Sequence, residues 1–477
     1  MQPHHATAVE KGILSGKKHL HFIGIGGSGM FPIVQILHKK GYIITGSDNN
    51  ESDILKMERA MGLTVSLGHK AENVVGADLV VYSAAIFQDN CELTYAREHN
   101  IPTVERSVML GAISDSFENA ICISGTHGKT TTTSLLTSIL IDCGQDPSAV
   151  IGGKLPKIGG YGCVGERDLF VCEACEFVDT FLHLSPDIAV ILNIDDDHLD
   201  YFKTMENLKH SFHKFASMAS RLVIYNGDDA NTRDAMEGIE TRRITFGLGP
   251  HNDYFATDLK LHDGVNFQYT LHHRGQPQGT IVLSIPGRHN VLNSLAAIAA
   301  AHEMGISFSQ ISGCIGDFRG AGRRFEILEQ VDGVTFADDY AHHPTELKAT
   351  LETAKQMDFK RVWAVFQPFT YSRTAMLLED FAQVLSIADR VVLSEIMGSR
   401  EKNTYHIYSA DLAAKIRGCS WFTTFEEIAE YMAREVRPGD LVITLGCGDI
   451  YKCARMMIAK RKALSAASKP QEDAKTL

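Results

Sequence analysis

The fold is decided by Ile121-Cys-Ile-Ser-Gly-Thr-His-Gly-Lys-Thr-Thr-Thr-Thr133. The apolar run Ala120 to Ile123 reads as a buried strand, and Leu135, Leu136, Ile139 and Leu140 recur at helical spacing beyond it. Gly125, Gly128, Lys129 and Thr130 lie between the two. Strand, glycine loop, Lys-Thr and helix is the build of a phosphate cradle. Glycines let backbone N–H groups turn onto phosphate oxygens, and the helix N-terminus adds partial positive charge. Thr126, His127 and Thr131 belong to the same loop. Lys129 can reach the β and γ phosphates of a nucleotide, and the Thr130 hydroxyl can bind Mg²⁺. The common form of this motif carries its first glycine where Ile123 stands, so the loop is a shorter variant.

A second glycine loop lies upstream. Leu20 to Ile23 reads as a strand, Gly24-Ile-Gly-Gly-Ser-Gly29 follows it, and Met30, Ile33, Ile36 and Leu37 continue as a helix. Gly24, Gly26 and Gly29, with Gly27 and Ser28 in the same turn, fit the fingerprint that brings a diphosphate onto a helix N-terminus. The next strand, Tyr42 to Thr45, ends near Asp48, about where a ribose acceptor stands in that fingerprint. Leu79 to Tyr82 ends at Ser83, which can line the same crevice. Residues 1–115 are therefore expected to form one Rossmann-like α/β domain.

Downstream of the phosphate loop, strand Leu169 to Cys172 ends at Glu173, and strand Ile188 to Leu192 ends in Asn193-Ile-Asp-Asp-Asp-His198-Leu-Asp200. Ligands in open α/β sheets meet residues beyond the carboxyl ends of strands, which places Glu173 and His198 toward Thr130. Asp195, Asp196, Asp197 and Asp200 are expected as solvated loop charges. Residues 244–284 alternate apolar and polar around Asp263-Gly264, the pattern of a small appended antiparallel sheet. His289, Asn290 and Asn293 open an apolar helix, where amides can read a purine edge or, in the plainer reading of Asn290, cap the helix. The Gly/Arg-rich stretch Phe318 to Glu326 reads as a hinge. Beyond it, strands end in Asp338-Asp339-Tyr340-Ala-His342-His343-Pro344, Gln367-Pro-Phe-Thr-Tyr371-Ser-Arg373, Glu395 and Gly446-Cys-Gly-Asp449, with polar residues gathered at one edge of a third α/β unit.

The bulk properties narrow the class. The chain has 477 residues, enough for two to four domains at roughly 100–200 residues each. A net charge of 46 − 58 = −12 argues against a nucleic-acid surface, and no apolar run approaches the roughly 18 residues a membrane helix needs. The start is polar and lacks the apolar core of a secretory signal. The scattered cysteines suggest reduced thiols in the cytoplasm, and Cys172-x-x-Cys175 has no second pair to complete a zinc site.

Gly-Ile-Gly-Gly-Ser-Gly-Met, Gly-Thr-His-Gly-Lys-Thr-Thr-Thr, Asn-Ile-Asp-Asp-Asp-His-Leu-Asp, His-Asn-Val-Leu-Asn, Arg-Arg-Phe-Glu and Asp-Asp-Tyr-Ala-His-His-Pro-Thr-Glu occur in that order. Over about residues 20 to 455 the chain resembles the Mur ligases of peptidoglycan synthesis, and the first and last of these motifs together point to the alanine-adding branch. The resemblance implies an α/β protein of three domains: residues 1–115 for the UDP-sugar, 116–322 a central P-loop ATPase, and 323–477 a Rossmann-like domain that binds the amino acid and closes over ATP. It implies ATP and Mg²⁺ as cofactors and UDP-N-acetylmuramate and L-alanine as substrates. It also implies a cytoplasmic monomer or homodimer with no nucleic-acid or membrane partner. By the same resemblance Gly24 to Gly29, with Asp48 and Ser83, hold the UDP-sugar. Gly125 to Thr131, His289, Asn290, Asn293, Arg324 and Asp339 hold ATP, and Thr130, Glu173 and His198 serve the metal. Tyr340, His342 and Arg373 hold the amino acid, with Lys129, Arg324 and His342 as the catalytic set. Three positions depart from the pattern: Cys447 replaces the usual Ala, Thr370 stands where many relatives carry a second arginine, and Tyr161 stands where Asn is expected.

Three rivals make different demands. A recycling ligase that adds a whole tripeptide shares much of the last motif. An NAD-dependent oxidoreductase accounts for the first loop but leaves Lys129 unexplained. A non-enzymatic, ATP-gated interaction protein predicts nucleotide binding with no amide product.

Overall fold

The computed structural model describes residues 12–197, 199–399 and 401–468, with the backbone alone for 199, 200 and 466–468. His198 therefore lies outside the described residues. One compact unit takes in the chain up to Lys260 with Gln268–Ser284 and Asn290–Ala321. The other takes in Leu261–Phe267, Ile285–His289 and the chain from Gly322.

The first sheet is all parallel, with β1 (His19–Ile23), β2 (Ile43–Asp48), β3 (Thr64–Leu67), β4 (Leu79–Tyr82) and β5 (Thr103–Glu105) in the order β3-β2-β1-β4-β5. The chain winds outward from β1 on one side and returns on the other through β4. This creates a switch point between β1 and β4, where the Gly24–Gly29 loop leaves.

The second sheet holds β6 (Asn119–Ser124), β7 (Ser148–Leu155), β8 (Gly160–Cys163), β9 (Leu169–Glu173), β10 (Ile188–Ile191), β11 (Leu222–Asn226), β12 (Arg243–Gly247), β13 (Tyr254–Leu261), β14 (Asn266–His273) and β15 (Gln276–Pro286). Their order is β15-β14-β13-β12-β11-β10-β6-β9-β7-β8. Strand β6 is central, parallel to β10 on one side and β9 on the other. Its residues Ala120 to Ile123 are fully buried, as a strand covered on both faces must be. The appended strands β13 to β15 prolong this sheet instead of forming a separate one. Strand β13 pairs in parallel with β12, and the short links to β14 and β15 leave only antiparallel pairing beyond it. Gly264 and the Arg274–Gly275 pair take the positive φ those turns require. The β7–β8 hairpin, antiparallel, gave no clear alternation in the sequence because glycines interrupt both strands.

The first two sheets share one hydrophobic core running from Leu20 to Ile239. Helix Phe31–Lys39 packs against β7 and β8, so close that a Cβ on Gly162 would stand 2.6 Å from Pro32 Cβ. Helix Arg106–Ser114 packs against the turn Phe177–His183. That burial is the reason these two sheets lie in one compact unit.

In the other unit β16 (Glu326–Val331), β17 (Val334–Asp339), β18 (Arg361–Phe366), β19 (Arg390–Ser394), β20 (Ser420–Phe422) and β21 (Asp440–Leu445) are ordered β16-β17-β21-β18-β19-β20. Along β18, Val362, Ala364 and Phe366 enter one core while Trp363 and Val365 enter the other, the period of two expected for a sheet covered on both faces. The carboxyl ends of β17, β21 and β18 are in register, Asp339 opposite Leu445 and Leu445 opposite Phe366. The last helix, Ile450–Ser468, packs by burying Cys453, Ala454, Met457 and Ile458.

Candidate active site

Strand β6 delivers the phosphate loop to the carboxyl edge of its sheet. Gly125 (φ +140) and Gly128 (φ +88) take backbone conformations that side chains resist. A Cβ on Gly125 would stand 2.8 Å from Leu192 Cβ, and one on Gly128 would stand 2.4 Å from Asn293 Oδ1. Helix Lys129–Asp142 starts directly at Gly128, whose place at the N-cap leaves no side chain to cap it. Its first turn thus keeps the N–H groups and partial positive charge that suit a phosphate.

Lys129 does not extend from this loop. Its Nζ donates to Gly125 O at 2.5 Å, to Thr126 O at 3.1 Å and to both carboxylate oxygens of Glu176, at 2.9 and 3.1 Å. Burial disfavours the ammonium, but the Glu176 carboxylate, with Cys175 and Glu173 near it, more than offsets this and holds Lys129 above its ordinary pKa. The Thr130 hydroxyl donates to Glu173 Oε2 at 3.1 Å, and Glu173 Oε1 accepts the Gly152 amide at 2.5 Å. A hydroxyl and a carboxylate converging at a phosphate loop are the hard oxygen donors that Mg²⁺ takes, so these two residues fit the ion.

The segment after β10 braces the loop. Asn193 accepts from His127 N at 2.8 Å and returns a bond from Nδ2 to His127 O at 3.0 Å. Asp195 N donates to Thr126 Oγ1 at 2.9 Å, and its carboxylate meets His127 Nε2 at 3.1 Å. Asp195 is therefore a structural partner of the loop, and Asp197 is buried, whereas both were expected to be solvated. Asn293, buried beside Gly128, donates to Asn290 Oδ1 at 2.9 Å. Asn290 is the second residue of helix His289–Glu303, so it is not a cap. His289 opens that helix.

At the first glycine loop, Gly26 N donates to Asp48 Oδ2 at 3.1 Å, and a Cβ on Gly24 would touch Ser83 Oγ at 3.6 Å. The loop, Asp48 and Ser83 are thus brought together. Gly27 and Ser28 are exposed. The sequence reading missed Arg106, whose guanidinium would lie 3.5 Å from a Cβ on Gly29. The same guanidinium also acts electrostatically on Cys175, next to Glu176.

In the other unit, Asp339 ends β17 and accepts from Phe325 N and Ala341 N, each at 2.7 Å. Burial pushes its carboxyl up to about 6, against the pull of Arg324. Arg324 stacks over Tyr340 with its guanidinium carbon 5.0 Å from the ring centre. Arg323 is bound to Asp338 at 2.9 Å and to Gly446 O at 2.6 Å, so the first arginine of the pair is structural. His342 Nδ1 lies 3.1 Å from Tyr340 O and 3.3 Å from Glu346. Burial pushes the Cys447 thiol up to about 12, and the charges acting on it are those of Arg373, Glu346 and Arg323. Arg324, Asp339, Tyr340, His342 and Arg373 therefore collect at one edge of the third sheet. Thr370, the position of the expected second arginine, instead caps the helix Tyr371–Met376 by accepting from Arg373 N.

Comparison with known proteins agrees with this arrangement. Three family models match in succession: the Mur ligase family catalytic domain over residues 19–118, the Mur ligase middle domain over 123–301, and the Mur ligase glutamate ligase domain over 323–448. The chain belongs to the Mur ligase family. Among curated Mur ligases it is 42% identical to the UDP-N-acetylmuramate--L-alanine ligase of Caldanaerobacter subterraneus subsp. tengcongensis, over 93% of this chain and 98% of that protein. It is 41% identical to the enzyme of the same name from Acetivibrio thermocellus, over 94% and 97%. Among solved structures it matches the UDP-N-acetylmuramate-alanine ligase of Thermotoga maritima with a TM-score of 0.80 and 26% identity, over 94% of this chain and 100% of that one. The murein peptide ligase of Psychrobacter arcticus shares the fold, with a TM-score of 0.73 and 24% identity over 93% and 98%. The chain therefore has the three-domain α/β Mur ligase fold.

Against this Mur ligase frame, the residues that sequence reasoning missed share a trait. Glu176, Asn193, Asp195 and Arg106 act on the loops from neighbouring elements. Asn193 and Asp195 stand in the polar run after β10 without a sign of this role, and Glu176 left a trace as a second carboxylate three residues beyond Glu173.

Proposed function

We propose that this chain joins L-alanine to the lactyl carboxylate of UDP-N-acetylmuramate, cleaving ATP to ADP and phosphate. The observation that carries the reading lies within the first unit. Arg106 stands beside Gly29 of the first glycine loop, and the helix it opens packs against the turn that follows Glu176, the partner of Lys129. A diphosphate cup and a nucleotide-phosphate loop are thus tied to one core, as a ligase needs if it is to bring a sugar acid to a triphosphate. The relatives' names supply the two substrates.

A carboxylate is a poor acyl donor at neutral pH. Its attack on the γ-phosphorus releases ADP and yields an acyl phosphate, and the alanine amine then displaces phosphate to form the amide. The first step asks for positioning and charge neutralisation. Gly125, Thr126, His127, Gly128 and Thr131 would supply loop contacts, and Lys129 the local cation. Arg324 offers a planar guanidinium suited to phosphate oxygens. Thr130 and Glu173, and by family resemblance His198, would hold Mg²⁺, which neutralises phosphate charge when bound. His289, Asn290 and Asn293 are the adenine-side candidates, with Asp339 a further ATP contact. Gly24, Gly26, Gly27, Ser28, Gly29, Asp48 and Ser83 would hold the UDP-sugar, and Tyr340, His342 and Arg373 the amino acid. The corresponding domains are 1–115, 116–322 and 323–477. Among the described residues no helix is long and apolar enough to cross a membrane.

The test is phosphate release with UDP-N-acetylmuramate, MgATP and each standard amino acid in turn, with the muropeptide-type tripeptide as a further acceptor. Alanine should be preferred and should yield an amide product. Preference for the tripeptide would favour the recycling activity, and nucleotide binding without any amide would favour the gated interaction protein.

A further inference from the structure

Lys129 has three N–H donors and, within 3.1 Å, four protein acceptors: Gly125 O, Thr126 O and both oxygens of Glu176. A phosphate oxygen can gain a full hydrogen bond from this ammonium only by displacing one of them. The two carbonyls belong to the loop itself and move with it. Glu176 is different in kind: it comes from another element and carries a charge that repels phosphate.

Glu176 is also held firmly. Its side chain is 2% exposed, and among the described residues Lys129 is the one cation within ion-pair distance of it. The turn beyond it is pinned in an unfavourable backbone. Val178 (φ +54) and Asp179 (φ +56) are left-handed, a conformation that a β-branched residue resists. Asp179 N donates to Glu176 O at 2.9 Å, and the Asp179 carboxylate accepts from Tyr201 Oη at 2.8 Å and from the Ser211 hydroxyl. The carboxylate against the loop lysine is thus followed directly by a left-handed turn held by hydrogen bonds.

We propose that Glu176 is a positioning residue that competes with nucleotide phosphate for Lys129. It lowers the affinity of the loop for nucleotide and reclaims the lysine as ADP leaves. The inference rests on the reading that this loop binds nucleotide phosphate. It makes Glu176 a determinant of turnover that touches no reacting atom. A residue needed only for folding would change stability without shifting the balance between nucleotide affinity and rate.

The experiment is ADP binding by calorimetry on the full chain and on Glu176→Gln, with initial rates against ATP concentration. Removing the competing charge should tighten ADP binding by roughly three- to tenfold and should lower KM for ATP and kcat together. In a Lys129→Met background the same substitution should tighten ADP binding by clearly less, because only the direct charge repulsion is left and not the competition for the lysine. Unchanged or weaker ADP binding in Glu176→Gln, or an effect of equal size in both backgrounds, would overturn the proposal. If Glu176→Gln does not fold, Glu176→Asp withdraws the carboxylate by one methylene and carries the same prediction at smaller size. ADP binding needs neither sugar nor amino acid, so these arms hold even where amide formation fails. Absence of ADP binding by the unaltered chain would remove the nucleotide reading along with the proposal.

Discussion

The loops Gly24–Gly29 and Gly125–Gly128 both leave the end of a parallel strand and enter a helix, yet they treat charge differently. In the first, the acid is Asp48 at the end of the neighbouring β2, which binds the loop backbone directly by accepting the Gly26 amide, and the cation beside Gly29, Arg106, arrives from a helix far along the chain. In the second, the cation belongs to the loop's own helix and the acid, Glu176, arrives from elsewhere. The first arrangement suits a diphosphate that is held but not altered. The second places a paired lysine where, on the proposed function, phosphoryl transfer would move charge. On the proposed function, a shared turn grammar would serve retention in one place and reaction in the other.

The sharpest way to break this comparison is Lys129→Ala. Turnover, followed as ADP release, should fall by at least about 10³-fold, while UDP-N-acetylmuramate binding by calorimetry stays as it was. Near-normal turnover would make the two loops equivalent after all.

The next effect concerns the acid side of the first loop. Glu58 is fully buried on helix Asp53–Ala60, and neither of its carboxylate oxygens has a hydrogen-bond partner among the described residues. Burial pushes its carboxyl up to about 8, Asp48 adds to this and Arg59 opposes it. The folded state then binds more protons than the unfolded one between about pH 4.5 and pH 8. Stability should therefore fall as pH rises through that window, and Glu58→Leu should remove the loss, on the order of 3 kcal/mol at pH 8. Denaturant midpoints at pH 5 and pH 8 for both proteins measure it, and parallel pH profiles would refute it.

Paired glycine substitutions sharpen the steric half. Gly128→Ala meets both a positive φ and an obstacle at 2.4 Å, whereas Gly24→Ala meets a positive φ with nothing nearer than 3.6 Å. Thermal melts should show losses of about 2 kcal/mol or more against about 1 kcal/mol. Equal losses would mean that Asn293 yields freely. The smallest expected effect is Asp48→Asn, which should raise KM for the UDP-sugar by about tenfold with little change in kcat, since it weakens ground-state and transition-state binding alike. A fall in kcat at constant KM would give the first loop a part in the chemistry.

Much of this was legible before any coordinates. Every strand bearing a candidate ligand residue lies within a few residues of where the apolar runs placed it, because a buried parallel strand is a continuous apolar segment closed by a polar edge. Gly24, Gly26, Gly125, Gly128 and Lys129 were readable because loop chemistry is written in contiguous residues. The β7–β8 hairpin was not, since Gly152, Gly153 and Gly162 erase its alternation. The partners of the loops were not readable either.

What the chain's linear order determined by itself is the sequence of strands, the two glycine turns and the identity of the loop lysine, all local matters of periodicity and backbone freedom. What only the tertiary structure decided is which distant charge faces which loop. Arg106 reaches Gly29 because β5, which it follows, ends at the same edge of the parallel sheet as β1, and Glu176 reaches Lys129 because β9 lies beside β6. The physical reason is that side-chain electrostatics depends on separation in space, and burial of a common core sets that separation between residues that no sequence window contains together.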